Sequence, residues 1–171
     1  HLEIPDFINL EEMNFDNVDL IFCALPHATS QEMIVRIPEG KKIIDLSADF
    51  RLEQVEEYER WYGSKHIAHS LQEKAVYGLT EIYKEKIKKG SLIACTGCNS
   101  AASLYPVLPL LNEGIINSDS LIINLGAGVS GAGRDAKQNI IHAEVSEGVK
   151  PYNVGKHRHI AELEQEFKKA T

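Results

Sequence analysis

With 171 residues, the chain has room for about one full domain, or one and a half compact ones. Its 18 basic and 25 acidic residues give a net charge of −7 with no concentrated basic patch, which argues against a nucleic-acid or anionic-membrane partner. No apolar stretch is long enough to span a bilayer, the first residues lack the pattern of a signal peptide, and three cysteines without disulfide spacing point to a reducing, cytoplasmic setting.

In chain order, Val18–Leu25 is a buried apolar strand. It leads through Pro26 and His27 to a helix near Gln31–Ile37, with Thr29 or Ser30 as its N-cap. Lys42–Leu46 is the next strand and Glu56–Tyr62 a short helix. Glu81–Lys89 is amphipathic and stops at Gly90, a C-cap signal. A strand at Ser91–Cys95 precedes a helix from Cys98 toward Gly114, which Pro106 and Pro109 are expected to kink or end early. A strand at Ser120–Leu125 and a last helix from His159 to Lys169 complete the pattern. Strands alternating with helices predict an α/β fold with a parallel sheet. The sequence turns rich in Gly, Ser and Ala beyond Gly97, which suits a domain boundary there, dividing the chain into 1–96 and 97–171. The pattern begins without an opening strand and glycine-rich turn, as expected of an excerpt from a longer polypeptide.

Cys98 is the prime candidate for chemistry. It lies between an apolar strand and an apolar helical run, directly after a turn glycine. A thiol there faces the unpaired N–H groups of a first helical turn and the positive end of its dipole. Both favour thiolate, and the same N–H groups can hold an oxyanion. The competing reading is a buried cysteine serving as a small hydrophobe.

Four other motifs carry chemical meaning. Gly126-Ala-Gly128-Val-Ser-Gly131 matches a dinucleotide-binding pattern literally, but no periodic helix follows it, so it reads as a flexible glycine loop near a ligand. Cys95-x-x-Cys98 with His157-x-His159 resembles a metal or dithiol set, yet the histidine spacing is short for zinc and no metal is expected. His157-Arg158-His159 at a helix start is either an exposed polar cap or an acid/base histidine beside an anion-binding arginine. Arg51, in Ser47-Ala-Asp-Phe-Arg51 at the carboxyl end of a strand, suits a phosphate or carboxylate, or else pairs with Asp49 or Glu53. His66 and His69 read as surface residues in a polar, irregular stretch.

Together, Ala24-Leu-Pro-His27, Ile44-Asp-Leu-Ser-Ala-Asp-Phe-Arg51, Ala75-Val-Tyr-Gly-Leu79, Gly97-Cys98, Gly128-Val-Ser-Gly-Ala-Gly-Arg134, Glu144-Val and Lys156-His-Arg-His159 resemble, in this order, the N-acetyl-gamma-glutamyl-phosphate reductases, relatives of the aspartate-semialdehyde dehydrogenases. The resemblance implies part of an N-terminal Rossmann-type NADP-binding domain followed by part of an α+β catalytic and dimerisation domain. It also implies a homo-oligomer, NADP as cofactor, and a small acyl phosphate as substrate.

Carried onto this sequence, the resemblance makes Cys98 the nucleophile that forms a thioester for hydride to reduce, in a step of arginine biosynthesis. His159 is the favoured acid/base, with His157 the alternative. Leu25, Pro26, His27, Ser130 and Gly131 fall to the cofactor. Arg51 falls to the departing phosphate, and Arg158 or Arg134 to the substrate carboxylate. The pattern departs at Cys95-Thr-Gly-Cys98, where the family has Asn-Pro-Gly-Cys, and at His157-Arg-His-Ile-Ala-Glu162, where it has His-Arg-His-Thr-Pro-Glu. The first departure leaves open a related reductase of carrier-bound aminoadipyl phosphate. A non-catalytic fragment and a cysteine hydrolase are also compatible with the sequence. The family's first glycine-rich turn would lie before residue 1, so little NADPH affinity is expected of these residues alone.

Overall fold

The structure, a computed structural model, describes residues 6–170. Two compact units meet in the sequence between Cys95 and Thr96.

The first unit is built on a parallel sheet. Its strands are β1 (Leu20–Cys23), β2 (Lys42–Asp45), β3 (Val76–Tyr77) and β4 (Leu92–Ala94), ordered β1-β2-β4-β3. Phe22 pairs with Ile44, and Ile44 in turn with Ile93. The helices α1 (Thr29–Ile34), α2 (Val55–Tyr62), α3 (His69–Gln72) and α4 (Thr80–Lys89) connect them. Apolar side chains of strands and connections close one core around Cys23, Ile34, Ile43, Phe50, Leu92 and Ala94. The expected α/β architecture is therefore present. Gly90 ends α4, but with an extended backbone (φ −70°) rather than a left-handed one. Its lack of a side chain matters for space: a Cβ there would meet Ile93 Cδ1 and Val76 Cγ2, each at 2.9 Å.

In a parallel sheet all carboxyl ends share one edge, and a buried polar network organises the loops there. Asp45, at the end of β2, accepts from the Ser30 hydroxyl at 2.6 Å, the Ser47 hydroxyl at 2.7 Å and the Ser47 N–H at 3.1 Å. Burial pushes its carboxyl above the usual range, with the serine bonds pulling the other way. Asp49 accepts from Ala28 N–H at 2.9 Å, Gln31 N–H at 3.0 Å and the Tyr58 hydroxyl at 2.7 Å. Burial and this carboxylate push the Tyr58 hydroxyl far above its ordinary value, so it stays a donor.

The network changes two sequence expectations. The helix expected near Gln31 starts at Thr29, and neither Thr29 nor Ser30 caps it. Ala28 occupies the cap position with φ 69°, and Asp49 reaches across the unit to bond the N–H groups a local cap would have satisfied. His66, expected on the surface, is 3% exposed. Its Nδ1 accepts from Ala68 N–H at 3.3 Å, so Nε2 carries the proton and donates to the Asp49 carbonyl at 2.9 Å. Its ring stands edge-on to Phe50 and Tyr58, and burial lowers its basicity. His69 is exposed, as expected. Asp49→Ala is expected to cost roughly 2–4 kcal/mol, because it strands the buried Gln31 N–H and Tyr58 hydroxyl together with the part-buried Ala28 N–H. A denaturant titration of the variant checks this, and a loss below about 1 kcal/mol would contradict it.

The second unit pairs two helices, α5 (Cys98–Asn112) and α7 (His159–Ala170), with the short α6 (His142–Val145) in the connection. Contrary to expectation, α5 does not break early: it continues through Pro106 and Pro109. Each proline removes one intrahelical bond, but Leu104, Leu108 and Leu111 stay buried along one face and retain the packing that holds the helix. The expected strand at Ser120–Leu125 does not form. After a 3₁₀ turn at Ser118–Ser120 its residues carry no regular structure, Ile122 is 86% exposed, and no neighbouring strand exists among the described residues of this unit. An extended segment without a ladder partner has nothing to pair its N–H and C=O groups except water.

Candidate active site

The strongest cluster of chemically active side chains lies in the second unit, where α5 and α7 begin. Cys98 is the first residue of α5, and its thiol is exposed. Gly97 precedes it as N-cap, and the Gly97 carbonyl accepts the first intrahelical bond from Ala101 N–H at 2.9 Å. The N–H groups of the first turn thus surround the sulfur's own backbone, and the dipole of a 15-residue helix favours negative charge there.

The beginning of α7 brings both predicted histidines to this point. A Cβ added to Gly97 would run into the His159 ring, so the glycine backbone and the imidazole are in direct contact. His157 stands edge-on to His159, with ring centroids 4.6 Å apart, and edge-on to Tyr152 at 5.4 Å. The His157 Nδ1 accepts from the His159 N–H at 3.1 Å. Burial, with Arg158 adding to it, lowers the basicity of His157, while Glu162 opposes the shift. A neutral His157 follows near pH 7, its proton on Nε2.

Glu162 and Asn99 also belong to the cluster, and sequence reasoning passed over both. Glu162 is fully buried in the first turn of α7. Its Oε2 accepts from Gly97 N–H at 3.0 Å, and its Oε1 lies 4.0 Å from His159 Nε2. One carboxylate thus fixes the residue before the nucleophile and holds negative charge beside the imidazole. The i, i+3 spacing of His159 and Glu162 was the available signal. Asn99 contacts Tyr152 and His157 from the second position of α5.

The remaining predicted residues are placed elsewhere. In the first unit, Leu25 is half-buried against the core, while Pro26 and His27 are exposed at the carboxyl end of β1. His27 Nδ1 accepts from Ala48 N–H at 3.3 Å, and its ring meets Tyr62 edge-on at 5.2 Å. Arg51 is 8% exposed and donates to the carbonyls of Cys95 (2.6 Å) and Leu46 (3.2 Å), bracing the ends of β4 and β2. In the second unit, Ser130, Gly131 and Arg134 are exposed in the irregular stretch between α5 and α6. Val129–Ala132 is a 3₁₀ turn, and no α-helix follows the glycines directly. Arg158 is exposed beside the histidines. Among the described residues no group of three or more His, Cys, Asp or Glu is arranged to hold a metal ion, and no helix is long and apolar enough to cross a membrane.

Residues 3–90 match the family model for the semialdehyde dehydrogenase NAD binding domain, and residues 98–171 match that for the semialdehyde dehydrogenase dimerisation domain. Among curated relatives, an N-acetyl-gamma-glutamyl-phosphate reductase of Rhodobacter capsulatus is 54% identical over 170 residues, covering 99% of this chain and 50% of the relative. The protein of the same name from Cereibacter sphaeroides is also 54% identical over the same shares of both chains. That from Ruegeria pomeroyi is 51% identical over 168 residues, 98% of this chain and 49% of its own. The chain spans about half the length of the curated relatives it matches. With both family models laid end to end along it, the chain belongs to the semialdehyde dehydrogenase family.

Proposed function

We propose that the polypeptide carrying this chain reduces an acyl phosphate, N-acetyl-gamma-glutamyl phosphate, to the semialdehyde through a thioester on Cys98, with NADPH as reductant. The observation that carries this reading is the exposed Cys98 thiol on the first turn of α5, directly after a glycine packed beneath His159 and bonded to buried Glu162. The names of the relatives supply the substrate.

The Cys98 thiolate attacks the acyl carbon, a C–S bond forms, and the bond from carbon to the phosphate oxygen breaks as phosphate leaves. The first-turn N–H groups of α5 face the oxygen on which negative charge develops. NADPH, when bound, would supply the hydride that reduces the thioester carbonyl. His159 then gives a proton to the resulting oxyanion and recovers one as the C–S bond breaks to release aldehyde and thiolate. Buried Glu162 steadies the imidazolium form of His159 before it gives this proton and after it recovers one, and neutral His157 fixes the backbone that presents it. A thioester is the useful intermediate because its carbonyl is more open to hydride than that of a carboxylate.

The donor set of the first unit fits a dinucleotide in part. Leu25, Pro26 and His27 offer an apolar and aromatic shelf at the carboxyl end of β1, with the imidazole held in place by Ala48 and Tyr62. Ser130 and Gly131 are assigned to the nicotinamide end, Arg51 to the departing phosphate, and Arg158 or Arg134 to the substrate carboxylate. Assembly through the region matching a dimerisation domain, as a homo-oligomer, belongs to the same reading.

The reverse reaction tests it. Semialdehyde, inorganic phosphate and NADP incubated with the natural polypeptide should give NADPH, followed by absorbance, in proportion to added phosphate. NADPH formation without phosphate would contradict an acyl-phosphate product. Acyl hydrolysis without NADP would identify a hydrolase instead.

A further inference from the structure

Asn99 follows the nucleophile and was assigned nothing by the sequence motifs, yet its amide joins three side chains of the cluster. Nδ2 lies 3.0 Å from the Tyr152 hydroxyl and 3.4 Å from His157 Nε2, and Oδ1 lies 4.0 Å from Cys98 Sγ. One of these contacts conflicts with the rest. Because His157 Nδ1 accepts the His159 N–H at 3.1 Å, a neutral His157 must carry its proton on Nε2. In this rotamer an N–H of the amide therefore faces an N–H of the imidazole, and two donors do not bond.

A half-turn of the amide about its last side-chain bond exchanges nitrogen and oxygen with no change of shape. Oδ1 then accepts from the Tyr152 hydroxyl and from His157 Nε2–H, and every donor on that side has an acceptor. Nδ2 moves to the side facing Cys98 Sγ. A neutral thiol, which donates toward Oδ1 before the exchange, loses that acceptor, whereas a thiolate is itself an acceptor and gains a donor. We infer that Asn99 presents its amide N–H to the Cys98 sulfur, held in that orientation by His157 and Tyr152, and so supplies a side-chain donor to the thiolate beside the helix N–H groups. His157 acquires a further role in this arrangement: it acts on the sulfur through Asn99, as a positioning residue, while His159 moves protons. The inference rests on the reading of Cys98 as the nucleophile.

The test is the rate at which iodoacetamide alkylates Cys98, followed across pH by peptide mass spectrometry on the natural polypeptide, with Cys23 and Cys95 mapped separately. The reaction needs neither cofactor nor substrate. Asn99→Ala removes the donor and should lower the rate near pH 7 roughly threefold. Asn99→Asp keeps the shape but places a like charge by the sulfur, and should lower it roughly tenfold, with the profile displaced to higher pH. The other titratable and charged groups around the sulfur, Tyr152, His157, Arg158, His159 and Glu162, are the same in both Asn99 variants. Tyr152→Phe should lower the rate less than Asn99→Ala, since His157 still holds the amide. Circular dichroism of both Asn99 variants should match the wild type, because the side chain is only half-buried. A reactive wild-type Cys98 whose rate and profile are unchanged in both Asn99 variants overturns this inference and leaves the nucleophile reading standing. A wild-type Cys98 that resists alkylation near neutral pH overturns both.

Discussion

Gly97→Ala is expected to lower kcat/KM of the acyl-phosphate reaction about a hundredfold while leaving the protein folded. The added Cβ would fall onto the His159 imidazole, with Cδ2 and Cε1 each 2.6 Å away. No real Cβ sits that close to another atom, so the ring must move. It has little freedom to do so in place, since Glu162 flanks it and His157 stands edge-on to it. The backbone of Gly97 is itself fixed by the Glu162 carboxylate. The substitution is sterically mild for the main chain, because φ −67° and ψ 149° suit alanine. The loss therefore reports the imidazole's position and not a broken helix start. Steady-state kinetics beside a thermal melt separate the two: kcat should fall about a hundredfold, while the protein still melts cooperatively and its melting temperature drops only by the several degrees that displacing one packed ring costs. Unchanged kcat would show that His159 is not the proton shuttle.

Most of the first unit was legible from the sequence because apolar strand runs and amphipathic helices leave periodic marks. The cores of the strands from Val18 to Leu25, Lys42 to Leu46 and Ser91 to Cys95 formed where expected, the first and third shorter at both ends and the second by one residue at its carboxyl end. What escaped notice depended on distant partners. Asp49 caps α1 from 21 residues away at Ala28, so no local cap signal marked the helix start. His66 looked like a surface residue amid polar neighbours, but it fills an aromatic slot between Phe50 and Tyr58. Pro106 and Pro109 were read by their local cost alone, which the buried leucines of α5 outweigh. The run Ser120–Leu125 has the composition of a strand, yet a strand requires a neighbour, and this unit offers none among its described residues.

The candidate site was legible to a different degree. Cys98 was identifiable because strand, glycine and apolar helix follow one another directly, and the structure places it on the first turn of α5. The histidine pair was visible, but spacing alone left its members equivalent. The surroundings distinguish them: His159 packs on Gly97 beside Glu162, whereas His157 has Nδ1 engaged by a backbone N–H. Glu162 escaped because a buried carboxylate in an acidic helix looks like one more solvated charge until its partner at Gly97 is known.

The other large effect concerns Cys98 itself. If the sulfur carries the acyl group, replacing it removes the covalent intermediate and with it the only route for hydride to reach an activated carbonyl. Cys98→Ala is expected to lower turnover by roughly a thousandfold or more. No neighbouring side chain substitutes for it, since Cys95 is a thiol that burial makes a poorer thiolate, with Arg51 only partly offsetting this. The exposed position of Cys98 means that the alanine variant loses reactivity without a packing defect.

The most direct measurement is the intact mass of the natural polypeptide after mixing with N-acetyl-gamma-glutamyl phosphate in the absence of NADPH. Release of one phosphate and gain of one N-acetylglutamyl group per chain are expected, the group mapped to Cys98, cleared on adding NADPH and absent from Cys98→Ala. An acyl group on another residue, or undiminished turnover in Cys98→Ala, would contradict it.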